Sequence, residues 1–159
     1  MTDKNVSIMN IGSMGYLPQV FKKIENEKKL NIVYLGGSIT MGCNATKTEL
    51  RYVDRSAKWW QTNFPEAEIS YFNAGIGATT SQFGVARVQE HVLDKQPDLV
   101  FVEFSVNDSS SPLFMETYES LIRRLLKAES VKAVVLINNL FYNTGENAQG
   151  IHNAIGLHY

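Results

Sequence analysis

The chain is poor in the residues that hold metals and close disulfides. Its 159 residues include one cysteine, Cys43, and three histidines. One thiol cannot form a disulfide within the chain, and so few soft ligands argue against a structural zinc site. No metal or organic cofactor is expected. An excess of either charge is also missing: 15 Lys and Arg stand against 16 Asp and Glu, a net charge of −1. Without a basic field, neither nucleic acid nor an anionic membrane is an expected partner. No apolar stretch approaches the roughly 18 residues that cross a bilayer. The polar start Met1-Thr2-Asp3-Lys4-Asn5 lacks the apolar core of a signal peptide. A cytoplasmic setting is therefore the expectation. Repeats, low-complexity tracts and linkers are absent, so residues 1–159 read as one domain, with 1–29 as an N-terminal extension and 30–159 as the core.

What is present is an alternation of strands and helices. Strands are expected at Ile32–Leu35, Ile69–Asn73, Leu99–Val106 and Ala133–Ile137, and helices at 18–27, 50–63, Ser81–Asp94, Met115–Lys127 and 147–158. Pro18 suits a first helical turn, and Phe64-Pro65 stops the second helix because a residue before proline is pushed out of helical geometry. Strands apolar on both faces and separated by helices predict a parallel sheet covered on two sides, a doubly wound α/β layer. In such sheets, ligands bind at the carboxyl ends of the strands.

Three strand ends carry polar or glycine-rich punctuation. The first, Leu35-Gly36-Gly37-Ser38-Ile39-Thr40, breaks a buried strand with two glycines and then presents a hydroxyl. Ser38 reads as a nucleophile or, more simply, as a cap for the helix or loop that follows. The second, Asn73-Ala74-Gly75-Ile76-Gly77, reads as a backbone donor site at Gly75 or a plain strand-to-helix turn. The third, Ser105-Val106-Asn107-Asp108, reads as an amide donor at Asn107 braced by Asp108, or as an Asx-type turn. Glu103, inside Val-Phe-Val-Glu-Phe, shares a strand face with Ser105 and Asn107 if the strand runs on. Two readings of it stand: a brace for the loops, through Arg87 or a backbone turn, and a strand-end residue facing a helix edge. Cys43 reads as a small buried filler.

Together the three blocks resemble the SGNH hydrolase family, the GDSL-like esterases, over roughly residues 30–140. The resemblance implies a flavodoxin-like three-layer sheet of order 2-1-3-4-5. It makes Ser38 the nucleophile, with Gly75 and Asn107 as oxyanion donors, and the substrates small acyl or acetyl esters, those of carbohydrates among them. Gly37 stands where the family's name has Asp, and Ser105 where the third block usually has Gly. The family's base is a histidine with an aspartate three residues before it. Here Val88, Gln149 and Ile155 precede His91, His152 and His158 at that spacing. The base and a fifth strand are therefore expected beyond residue 159, which makes the fold C-terminally incomplete. His91 reads as a surface histidine, and His152 and His158 as members of a helix packed on a sheet face.

Two readings of other classes fail at specific positions. Gly37 to Gly42 has phosphate-loop spacing, but Cys43-Asn44 follows in place of Lys-Ser/Thr. Gly75-x-Gly77 begins a dinucleotide fingerprint, but Thr80 stands where the third small residue belongs. A non-catalytic relative that kept the fold is the third alternative. One physical consequence follows from the missing strand. Ala133-Val134-Val135-Leu136-Ile137 would be an uncharged open edge, inviting self-association or a complementing C-terminal segment.

Overall fold

The computed structural model describes residues 7–13 and 15–159. The polar start at Met1–Asn5 lies outside them. Four parallel strands, β1 (Lys29–Gly36), β2 (Glu68–Gly75), β3 (Leu99–Glu103) and β4 (Ala133–Leu136), form one sheet of order β2-β1-β3-β4. Helices α1 (Leu17–Glu27), α2 (Ser38–Met41), α3 (Tyr52–Asn63), α4 (Ser81–His91), α5 (Pro112–Leu126) and α6 (Gln149–His158) alternate with them. The α/β architecture and the strand order are those expected.

The period-2 alternation of β1 builds both cores. Leu30, Ile32 and Tyr34 point to one face and pack with Val20 and Ile24 of α1 and Val53 and Trp60 of α3. Val33 and Leu35 point to the other, against Val88 of α4, Tyr118, Leu121 and Leu125 of α5, and Ile155 of α6. The result is three layers. At about 1.5–3 kcal/mol for each large apolar side chain buried, these two clusters dominate the stabilisation. Tyr34 stacks on Phe101 with centroids 4.8 Å apart and satisfies its hydroxyl on Ser56 Oγ at 2.9 Å. Burial pushes that phenol up to about 12. The segment read as an N-terminal extension thus supplies α1 to the core.

The boundaries differ where side chains bond to backbone. β3 stops at Glu103, not Val106. The N–H groups of Asn107 and Asp108 both donate to Phe104 O at 2.9 Å, and Ser105 Oγ bonds both the N–H and the carbonyl of Asn139. The chain therefore turns at 104, and the expected shared face of Glu103, Ser105 and Asn107 does not form. α4 ends at His91, and a 3-10 turn covers Leu93–Lys95. α5 starts earlier, at Pro112, the position where a missing N–H costs nothing. Of the helix or loop expected after Ser38, the structure has the helix, α2. Among the described residues no helix is long and apolar enough to cross a membrane.

Candidate active site

Parallel pairing brings the three punctuated strand ends to one edge. Gly36 is in register with Gly75 on one side and Glu103 on the other. Ser38 opens α2, one turn long, directly after Gly37. It is half-buried, and among the described residues its hydroxyl makes no hydrogen bond. Gly37 explains how Asn107 reaches it: a Cβ at position 37 would lie 2.5 Å from Asn107 Oδ1. The glycine standing where a side chain was to be expected is the space that the amide occupies. Asn107 Oδ1 is buried without a partner, and its amide nitrogen makes no hydrogen bond among the described residues. That nitrogen is free to donate.

Gly75 sits at the same edge, yet its N–H donates to Asn73 Oδ1 at 2.9 Å. Its glycine is needed for packing, since a Cβ there would run into Met41 N and come within 2.6 Å of Thr40 C. The next residues are placed differently. A Cβ on Gly77 would stand 4.0 Å from Ser38 Cβ, and Ala78 takes the left-handed region at φ 56°. Among the described residues, neither of their N–H groups makes a hydrogen bond.

The turn bearing Ser38 is tied from several directions, by Glu103 and by residues the sequence did not single out for it. Asn73 Nδ2 donates to Thr40 O at 2.8 Å. The Thr40 hydroxyl lies 2.9 Å from Tyr52 OH and donates to Glu103 Oε2 at 3.3 Å. Glu103 is fully buried, and its Oε1 lacks a partner among the described residues. Burial drives its carboxyl above the usual range, against the opposing pull of Asn139, Thr40 and the Gly37 N–H. The brace reading of Glu103 thus finds its partner in Thr40. Arg87 turns instead to the carbonyls of Ala74 and Gly36. Tyr52 and Tyr118 are both pushed up by burial.

The histidines go elsewhere. His152 is fully buried on α6, with Nε2 3.0 Å from Asp108 Oδ2 and its ring stacked 3.6 Å from that of Tyr118. Asp108 Oδ1 accepts the Ser81 N–H at 2.8 Å, so this carboxylate joins the start of α4 to α6 and not to its own turn. The signal for this pair was an Asp beside Asn107 and a His in an apolar helix, too common to read alone. His91, expected at the surface, is partly exposed and accepts from Arg87 Nη1 through Nδ1 at 3.3 Å. His158 packs edge-on against Tyr159. Cys43 is exposed, contrary to the buried filler expected, because Gly42 at φ 101° carries the chain off the sheet edge.

Three amides of the Gly37–Gly42 loop are already taken. The Gly37 N–H donates to Glu103 O, Met41 N–H to Gly37 O and Gly42 N–H to Ser38 O.

The fold and this edge define an SGNH-type α/β hydrolase layer. The chain belongs to the GDSL-like lipase/acylhydrolase family, whose model matches residues 34–155. A solved two-domain esterase active on acetylated mannans is 49% identical, with a TM-score of 0.91; the match covers 94% of this chain and 40% of that one. The chain thus spans well under half the length of that relative. An acetylxylan esterase from Geobacillus stearothermophilus shares the fold at 18% identity and a TM-score of 0.63, over 81% of this chain and 70% of that one. An SGNH-hydrolase family esterase shares it at 20% identity and 0.66, over 82% and 72%. No curated protein matches.

Proposed function

We propose that this chain carries the nucleophile and oxyanion donors of a serine ester hydrolase that acts on acetyl or other small acyl esters of carbohydrates. One observation carries the reading: Ser38 follows Gly37, against which the Asn107 amide is packed with its nitrogen free. Ser38 Oγ attacks the ester carbonyl, and the alcohol leaves as an acyl-serine forms. The tetrahedral oxyanion is held by Asn107 Nδ2 and the Ser38 N–H. Gly75 was the expected third donor. With its N–H on Asn73, that role falls to the N–H groups of Gly77 or Ala78. The proton goes to a histidine outside the three in this chain, none of which hydrogen-bonds Ser38 among the described residues: His152 is fully buried against Tyr118, His91 lies on Arg87 and His158 on Tyr159. Carbohydrate as the alcohol part is supported by the 49% identical relative active on acetylated mannans, a protein also co-crystallised with mannopentaose.

The test is to treat the chain with p-nitrophenyl acetate and locate the acetyl group by mass spectrometry. Oxyanion donors without a base leave roughly 10³–10⁴-fold acceleration over water. Slow acylation is therefore expected, with one acetyl retained on Ser38 and none on the Ser38→Ala variant. Acetylation that ignores Ser38→Ala would sink the reading. The β4 edge pairs only with β3 among the described residues. Self-association through 133–137 belongs to the same proposal; it predicts a lower light-scattering mass for Val135→Lys than for the parent.

A further inference from the structure

Arg87 is a buried cation without an anion. It is 5% exposed and makes no ion pair among the described residues. Its Nη1 donates to Ala74 O at 2.7 Å and its Nη2 to Gly36 O at 3.1 Å. Nη1 also meets His91 Nδ1 at 3.3 Å, the guanidinium carbon lies 5.8 Å from the centre of the Phe83 ring, and Nε has no partner. A buried guanidinium ordinarily finds a carboxylate, since desolvating the charge is expensive. Here its fork is spent on two carbonyls from adjacent strands. Gly36 stands two residues before Ser38, and Ala74 directly before the Gly75–Ala78 turn. The Gly36 carbonyl also accepts the Ile76 N–H at 3.1 Å, so both turns converge on one oxygen.

We propose that Arg87 is a positioning residue that clamps the ends of β1 and β2 together and, through its unpaired charge, raises the reactivity of the nucleophile at position 38. The proposal rests on the esterase reading for its kinetic consequence only. The fork fixes the spacing between the Ser38 turn and the Gly77–Ala78 turn, and small errors in such spacing are costly in rate. The charge favours an anion at residue 38 because little solvent screens it. Lysine would keep the charge but present a point donor in place of a fork, and so could not hold both carbonyls. The other charged or titratable groups around these strand ends are Arg51 with its partner Asp54, Tyr52, Glu103, Asp108, and Glu90, His91 and Lys95 beside β2, and none of them is substituted in the variants.

Two measurements on the 159-residue chain separate charge from geometry. In the first, acetylation of Ser38 by p-nitrophenyl acetate is compared for the parent, Arg87→Lys and Arg87→Met, with Ser38→Ala as the blank. Both Arg87 variants should acylate at least about tenfold more slowly at saturating ester. In the second, Ser38→Cys is placed in a Cys43→Ser background, and alkylation by iodoacetamide is followed against pH. Adding Arg87→Met should raise the pH midpoint of the position-38 thiol by roughly half a unit or more, while Arg87→Lys should leave it near the starting value. Circular dichroism confirms that each variant is folded, and Arg87→Lys carries the test if Arg87→Met is not. A parental acylation rate in Arg87→Lys overturns the clamp. An unmoved midpoint in folded Arg87→Met overturns the charge effect. If the parent acylates no better than Ser38→Ala while the midpoint still shifts, the esterase reading fails and the electrostatic role of Arg87 stands.

Discussion

Two loops leave the same edge of the sheet and are built in opposite ways. The segment after β1 turns within a few residues and is fastened by side chains from β2, β3, α3 and α4: Asn73 and Glu103 with Tyr52 on Thr40, and Arg87 on Gly36. The segment from 137 to 148 after β4 is held at its two ends, by Ile137 N–H on Val102 O, Asn138 Nδ2 on Asn153 Oδ1, and Ser105. Its Oγ bonds Asn139, and its carbonyl accepts the Ala148 N–H at 2.7 Å. Between those anchors Leu140, Phe141 and Tyr142 are exposed, Tyr142 at 98%. Strand ends at one edge thus divide the work. The first holds a hydroxyl in a fixed place, and the second carries exposed apolar side chains at the same edge.

The comparison is broken most severely at the glycines. Gly75→Val would push a side chain into Met41 N and Thr40 C, and should cost more than about 3 kcal/mol in urea unfolding or abolish folding. Gly145→Ala, in the loose segment, meets no atom within 4 Å and strains only a φ of 70°, so its cost should be about 1–2 kcal/mol. Equal costs would mean that the two loops are equally constrained.

Thr40→Val comes next. It removes the hydroxyl that satisfies Glu103 Oε2 and meets Tyr52 without changing shape much, and should cost roughly 1–3 kcal/mol. Glu103→Gln sharpens the same point through pH. Burial raises the Glu103 carboxyl in the folded chain. Its contribution is therefore complete below the unfolded value of about 4.3 and is lost as pH rises through the folded-state value. Urea midpoints should fall with rising pH more steeply in the parent than in Glu103→Gln. A steeper fall in the variant would show that the fold prefers the ionised group. Smallest of all, Tyr142→Ser should move stability by no more than about 0.5 kcal/mol, while limited proteolysis should cut first between residues 140 and 146.

The parts of this arrangement readable in advance were those encoded locally. Alternating apolar runs placed four strands, and glycines, Ser38 and Asn107 at their ends marked the edge. Glu103 was readable as a brace, but its partners were not, because they depend on what the fold brings near. Arg87 was readable as a candidate partner for Glu103, whereas the closed fold turns its fork to two carbonyls. Thr40 gains its role from Glu103, 63 residues away in sequence. Gly75 was readable as a glycine that matters, but not as one whose N–H is already taken. The early end of β3 was hidden for a similar reason: Ser105 is drawn to Asn139, a partner contributed by a later segment.

The central position of β1 has a consequence for how the chain is made. Gly36 leaves the ribosome before its partner Glu103, 67 residues later by number (103 − 36), exists to pair with it. At about 5–20 residues per second the wait is roughly 3–13 s. For that whole interval the β3 side of Ile32-Val33-Tyr34-Leu35, four residues buried in the finished sheet, has no strand to pair with, and the other side waits until β2 is made. Synthesis, more than the mature fold, is the stage at which this sequence would draw on chaperones that shield nascent strands.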